Sequence, residues 1–327
     1  MPLRVHYQID SDTKALDILR ANITPGVHLS TGEELPPQAD FQVLINGTPT
    51  REHLTASPHL GSLIIPYAGF PESTRALLAD FPHLKVFNLH HNAAPTAEMA
   101  ITLLLAAAKF ILPIDREFRE NNWTPRYQTN PSLLLDGKTV LILGFGHIGQ
   151  RVGLVCQAMG MQVIGVRRAQ NTSLVPGLLA EVHTIAQLEQ LLPRTKFLVI
   201  TLPITAQTAG LVGSRQLSLM IPGGVLVNVG RGRVVDQAAL YQALTDGTLN
   251  AAGLDVWYNY PASPEDRATT SPADYPFHQL DNVVMSPHRG GGSRDTERLR
   301  MQHLADLLNA FQDGNPTSNQ VDTSAGY

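Results

Sequence analysis

The chain has 327 residues, 43% of them hydrophobic and 16% charged, with a net charge of −4. That length allows two compact domains, each with its own core, and the slight negative charge excludes the basic footprint of a protein that binds nucleic acid or an anionic membrane. The one cysteine, Cys156, excludes an intrachain disulfide, and the 12 histidines show no metal-ligand spacing, so no metal is expected. The start, "MPLRVHYQID", has no signal-peptide core, and a cytoplasmic location is expected.

Strand-like runs alternate with helical stretches along almost the whole chain, which predicts parallel sheets covered by helices. The first series is "LRVHYQ", "FQVLIN", "GSLIIPY" and "KVFNL", with helices over "TKALDILRAN" and "ESTRALLADF". A long apolar helix from Ala97 to Ile114 follows; it is too short for a membrane span and carries Lys109. A second series then runs "TVLILG", "MQVIGV", "KFLVITL", "GVLVNVG", "NAAGLDV" and "NVVMSPH". These runs are nearly continuous in Val, Ile and Leu, as strands buried on both faces require. A last helix, "RDTERLRMQHLADLLNAFQDG", sets Leu299, Leu304, Leu307, Leu308 and Phe311 near helical spacing and could return the chain to the first unit. The fold class read from this order is α/β with two doubly wound parallel-sheet domains.

Within the second series, "GFGHIG" places Gly144, Gly146 and Gly149 between a strand and a helix. The first glycine suits a tight turn, the second lets a pyrophosphate approach the backbone, and the third lets helix and strand pack closely. The helix N-terminus that follows offers free N–H groups and a positive dipole end to phosphates. About 20 residues on, where an acidic side chain would hold the ribose of NAD, stand Arg167 and Arg168. Guanidinium groups pair with a 2′-phosphate that a carboxylate would repel, so the expected cofactor is NADP(H), with NAD as the alternative. Cys156, among apolar residues in the helix after the turn, reads as a buried, inert thiol.

Three further segments reach the carboxyl ends of strands, where doubly wound folds bind ligands. "GVLVNVGRGRVVDQAAL" presents Arg231, "AAGLDVW" ends at Asp255, and "NVVMSPHRGGG" ends at His288 in a Pro/Gly turn; Arg233 reads as surface. Delivery of a hydride to a ketone builds negative charge on oxygen, so such a site needs a cation and a proton donor. Arginine suits the first task and histidine the second.

These stretches, together with "DGKTVLILGFGHIG", "TLPITAQTAGLVG", "NAAPTAE" and the C-terminal "NQVDTSAGY", resemble the D-isomer-specific 2-hydroxyacid dehydrogenase family over nearly the whole chain. The resemblance implies a flavodoxin-like substrate domain built from residues 1–97 and 294–327, and a Rossmann NAD(P) domain over 98–293. It implies hydride transfer between a nicotinamide and a small 2-oxo acid, with Arg231 gripping the substrate carboxylate and His288 as acid/base. It places Gly144, Gly146, His147, Ile148, Gly149, Thr96, Leu202, Pro203, Thr208, Val229, Gly230 and Asp255 against the cofactor. Ala68 and Gly69 of "PYAGF", with Asn92, fall where the family receives substrate. His90 and His91 stand at the same mouth, where either could contact a substrate, but the favoured reading is of solvated loop residues.

One position departs from the family. Tyr260 stands where a glutamate pairs with the histidine, and "ASPEDRATTSPADYPF" lengthens the segment that follows. A neutral phenol cannot stabilise an imidazolium as a carboxylate does, so either His288 titrates near 6.5, or Glu265, Asp266 or Asp274 substitutes, or the chemistry is lost. The favoured reading is an NADP(H)-preferring reductase of glyoxylate- or hydroxypyruvate-like acids that forms a homodimer. The alternatives are a nucleotide-sensing or corepressor-like protein on the same fold and, ranked last, formate oxidation.

Overall fold

A computed structural model describes residues 2–9, 14–168, 174–315, 317 and 319–323. The chain divides into two compact units, residues 1–92 with 292–327, and residues 93–291. Both are α/β units built on wholly parallel sheets.

The first unit carries strands β1 (Leu3–Tyr7), β2 (Val27–Thr31), β3 (Val43–Ile45), β4 (Ser62–Ile65) and β5 (Lys85–Asn88), in the order β2-β1-β3-β4-β5. Its helices are α1 (Lys14–Asn22), α2 (Arg51–Thr55) and α3 (Glu72–Leu78), joined by the chain's last helix. Successive strand residues face opposite ways, and both faces are covered. Val43 and Ile45 enter one core and Leu44 the other, which is why these strands read as unbroken apolar runs. The C-terminal tail pairs antiparallel with the edge strand β5 at Phe87 and Gln320. Residues 324–327, the end of the "NQVDTSAGY" stretch, lie outside the described residues.

The second unit opens with α4 (Ala93–Lys109) and α5 (Ile111–Arg119), two helices bent by 67° where one continuous helix was expected. Pro113 explains the break: it has no N–H for the Lys109 carbonyl, and its ring would clash with that group. Phe110 takes the left-handed conformation at φ 53, and the Ser132 hydroxyl donates to the Lys109 carbonyl at 3.1 Å. Among the described residues no single helix is long and apolar enough to cross a membrane.

The seven-stranded sheet then forms from β6 (Thr139–Leu143), α6 (His147–Ala158), β7 (Gln162–Val166), β8 (Glu181–His183), α7 (Leu188–Leu191), β9 (Phe197–Ile200), α8 (Ser214–Leu219), β10 (Gly224–Asn228), α9 (Gln237–Thr245), β11 (Leu249–Leu254) and β12 (Val283–Met285). Its order is β12-β11-β10-β9-β6-β7-β8, with the topological switch at β6 and β9. Leu141 and Leu143 fill the core on one face, and Val140 and Ile142 that on the other. The last helix, α10 (Thr296–Gln312), packs on α1 through a face that buries Met301, Leu304, Ala305, Leu307 and Leu308, with Leu299 and Phe311 half-buried.

The two strands that sequence patterning missed, β2 and β8, are both sheet edges. Half-covered, they lack the continuous apolar run of the central strands; β2 alternates buried and exposed residues.

Candidate active site

At the exit of β6, Gly144 has φ 97, and a side chain there would press on Thr201, whose hydroxyl donates to the Gly144 carbonyl at 2.5 Å. A Cβ on Gly149 would collide with that same carbonyl, so the glycine brings the first turn of α6 against β6. A Cβ on Gly146, by contrast, would meet nothing within 4 Å. Gly146 caps α6 with no side-chain hydrogen bond, leaving the helix N-terminus and an open backbone approach. These features fit a dinucleotide pyrophosphate. His147 is exposed and Ile148 half-buried in the first turn of α6. At the end of the neighbouring β7, Arg167 is half-buried with its N–H donated to the His183 carbonyl at 3.0 Å, and Arg168 is exposed. Cys156, fully buried in α6, has its thiol pushed up to about 12 by burial, so it is no nucleophile.

The next two strand exits stand beside this turn. After β9, Leu202 and Pro203 lead into a loop that Thr208 closes, its hydroxyl donating to the Pro203 carbonyl at 2.7 Å. After β10, a Cβ on Gly230 would strike the backbone of Leu202, so the two exits pack against each other there. Buried Asn228 shapes the β10 turn: it accepts from Gly230 N–H and donates to the Arg231 carbonyl, both at 3.0 Å. Val229 is buried, Arg231 is half-buried with its guanidinium on the Gly230 carbonyl at 2.7 Å, and Arg233 is exposed.

The exits of β11 and β12 complete the row. Asp255, 1% exposed, accepts from the Ser286 hydroxyl at 2.6 Å and from the N–H groups of Arg289 and Gly290, both at 2.8 Å. Trp257 donates its indole N–H to the Ser286 carbonyl at 2.8 Å. Between these anchors His288 sits in the left-handed conformation at φ 56. Tyr260 lies beside it, ring centroids 5.6 Å apart, its hydroxyl accepting from Trp257 N–H at 3.1 Å.

The electrostatics correct the expected titration of His288. Partial burial and the Arg231 charge outweigh the opposing field of Asp255, and its pKa lies below the usual histidine value. No inserted carboxylate takes the glutamate's place. The Asp274 carboxylate accepts from Gln237 and Asn259, that of Asp266 from the Ser263 hydroxyl, and Glu265 is exposed and bonded locally. None of the three bears on the His288 ring.

The second unit thus gathers Arg231, His288, Asp255 and Tyr260, next to the turns carrying Gly230 and Gly144. Asn228, Trp257 and Ser286 were missed as supports; only their places beside strand ends hinted at the role. Thr96, 6% exposed, lies in the first turns of α4. In the first unit, Ala68 and Gly69 follow β4, and among the described residues no acceptor takes their N–H groups. The Asn88 side chain holds this loop by donating to the Ala68 carbonyl at 2.9 Å. Asn92 ends this unit's first segment, half-buried. His91 is not solvated: it is 4% exposed, and burial with the nearby charge of Arg300 lowers its pKa to about 4.

Residues 101–290 match the family described as D-isomer specific 2-hydroxyacid dehydrogenase, NAD binding domain. The chain belongs to that family. It is 38% identical to a glyoxylate reductase of Aeropyrum pernix over 233 residues, 69% of this chain and 65% of that protein. A glyoxylate reductase of Korarchaeum cryptofilum is 34% identical over 228 residues, again 69% and 65%. The match therefore spans just under two thirds of the length of these relatives. In fold, the chain is similar throughout to a D-isomer specific 2-hydroxyacid dehydrogenase of Xanthobacter autotrophicus Py2 solved with NADPH and MES, with a TM-score of 0.79, 24% identity and 100% of both chains covered.

Proposed function

We propose that the protein reduces small 2-oxo acids of the glyoxylate or hydroxypyruvate type with NADP(H). The observation that carries this is that the Arg231 charge acts on the His288 ring in one row of strand exits with the glycine turn. Gly144, Gly146, His147, Ile148 and Gly149 would hold the pyrophosphate, and Arg167 and Arg168 the 2′-phosphate; Thr96, Leu202, Pro203, Thr208, Val229, Gly230 and Asp255 would line the remainder of the cofactor. When bound, the reduced nicotinamide supplies the hydride.

The chain's residues do the rest. Arg231 grips the substrate carboxylate and, always charged, stabilises the oxygen that becomes negative. Protonated His288 hands its proton to that oxygen, and the neutral ring takes it back in alcohol oxidation. Ala68, Gly69 and Asn92 are the first unit's substrate contacts, through backbone N–H groups and an amide. Because the His288 pKa lies below 6.5, the protonated form that reduction needs is lost as pH rises toward neutrality, whereas the form that oxidation needs is already dominant there.

Turnover with a panel of short 2-oxo acids, using NADPH and NADH, tests the reading. Steady NADPH oxidation with glyoxylate or hydroxypyruvate is the expected result. Tight nucleotide binding without turnover on any member would favour the nucleotide-sensing alternative.

A homodimer accompanies this reading. Helix α5 buries none of its residues, and Ile111, Leu112, Phe118, Trp123, Tyr127 and Leu134 leave 48–80% of their surface open. Exposed apolar side chains on and beside one helix are what a contact between two copies would cover. Sedimentation at micromolar concentration is expected to show twice the chain mass.

A further inference from the structure

The buried carboxylate of Asp255 is engaged by protein groups at three of its roughly four acceptor sites. Three donors converge on it, the Ser286 hydroxyl, Arg289 N–H and Gly290 N–H, and all three belong to the turn that carries His288. The same turn needs holding. A non-glycine residue in the left-handed region is under local strain of about 1–2 kcal/mol and persists only where its surroundings over-determine it. The inverse turn closed by His288 N–H on the Ser286 carbonyl at 3.0 Å and the Trp257 indole bond to that carbonyl fix its entry. Its exit is held by Asp255 through the two successive N–H groups after His288.

We propose that Asp255 is a positioning residue whose buried carboxylate latches the Ser286–Gly290 turn and keeps His288 in the left-handed conformation from which its ring meets the substrate. This rests on the reading of His288 as proton donor. An acid fits the task where an amide does not. Two carboxylate oxygens accept three N–H or O–H donors, whereas an asparagine must turn its own NH2 toward one of them in a buried place. The negative charge has a second consequence. The charged groups acting on the His288 ring are Arg231, which disfavours its protonated form, and Asp255, which favours it; the Tyr260 ring also faces it.

The experiment compares Asp255→Asn, Ser286→Ala and Gly290→Ala with the wild type in the full-length protein. Two readouts are used: steady-state reduction, and NMR titration of selectively labelled histidines without cofactor, with His288→Asn identifying the signal. Asp255→Asn is expected to lower kcat by about tenfold or more, with a lesser change in the KM for the oxo acid. It is also expected to move the His288 titration to lower pH. Gly290→Ala forces a Cβ to within 2.7 Å of the Asp255 Oδ2 while keeping the charge. It is expected to cost kcat similarly with a smaller shift in titration, and Ser286→Ala, losing one bond, to cost a few-fold. A general loss of folding would lower activity and Tm without moving the titration of the remaining native protein, and that pattern would overturn the proposal. So would wild-type kcat and titration in Asp255→Asn alongside an inactive His288→Ala. Full activity of His288→Ala would instead overturn the proton-donor reading on which the latch depends.

Discussion

Two strand exits of the same sheet solve one problem by opposite means. The turn after β6 is made of backbone: Gly144 at φ 97, an open approach at Gly146, and close helix packing at Gly149. Its distant supports are few and mostly backbone: the Thr201 hydroxyl donates to the Gly144 carbonyl, and the Val166 carbonyl accepts from Gly144 and Phe145 N–H at 3.0 Å. The turn after β12 carries a side chain that has to be aimed, and it holds a non-glycine residue at φ 56 by donating N–H groups to Asp255 and accepting from Trp257, each about 30 residues away in the chain. A site that offers only N–H groups to a phosphate can be written into six consecutive residues. A site that presents one imidazole at one angle needs a rigid support from neighbouring strands.

The sharpest way to break this contrast is at the ring itself. His288→Ala is expected to lower kcat for reduction by about 10² to 10⁴ with little change in NADPH affinity. Arg231→Ala is expected to cost about 10² to 10³ in kcat and to raise the KM for the oxo acid as well, because it removes grip and charge stabilisation together. Near wild-type turnover in the first variant would show that the row of strand exits carries no proton donor.

On the backbone-built side, Arg167→Ala with Arg168→Ala is expected to reduce the preference for NADPH over NADH by about tenfold to a hundredfold, the worth of a charge-assisted contact. Equal use of both cofactors by the wild type, unchanged in the double variant, would reject the 2′-phosphate assignment. Gly149→Ala tests the packing directly. Its Cβ would meet the Gly144 carbonyl, and a loss of about 1–3 kcal/mol in denaturant unfolding is expected, with weaker cofactor binding. Unaltered stability and affinity would mean that the turn yields without cost.

The smallest effect expected is at Tyr260. A carboxylate close to an imidazolium raises its pKa, typically by about one to three units. Tyr260 is 48% exposed, so solvent screening keeps the gain in Tyr260→Glu near the lower end of that range. The limb of kcat/KM for reduction that falls with rising pH is expected to move upward in this variant. A profile superimposable on the wild type would show that the glutamate position no longer faces the reacting ring.

The sequence by itself determined a good deal. The central strands, the glycine turn, the arginines after β7, and the positions of Arg231 and His288 were all legible, because burial on both faces of a strand and backbone geometry in a turn leave local traces. Edge strands β2 and β8 leave weaker ones and were missed. Only the tertiary structure decided that the long helix breaks at Phe110, that His91 is buried, and that Glu265, Asp266 and Asp274 are engaged away from the His288 ring. It alone decided that Asp255, Trp257 and Ser286 meet at the histidine turn. The physical reason is that hydrogen bonds between neighbouring parallel strands join residues separated by whole crossover connections, and the charge felt by a ring depends on which side chains those connections bring within a few ångströms of it.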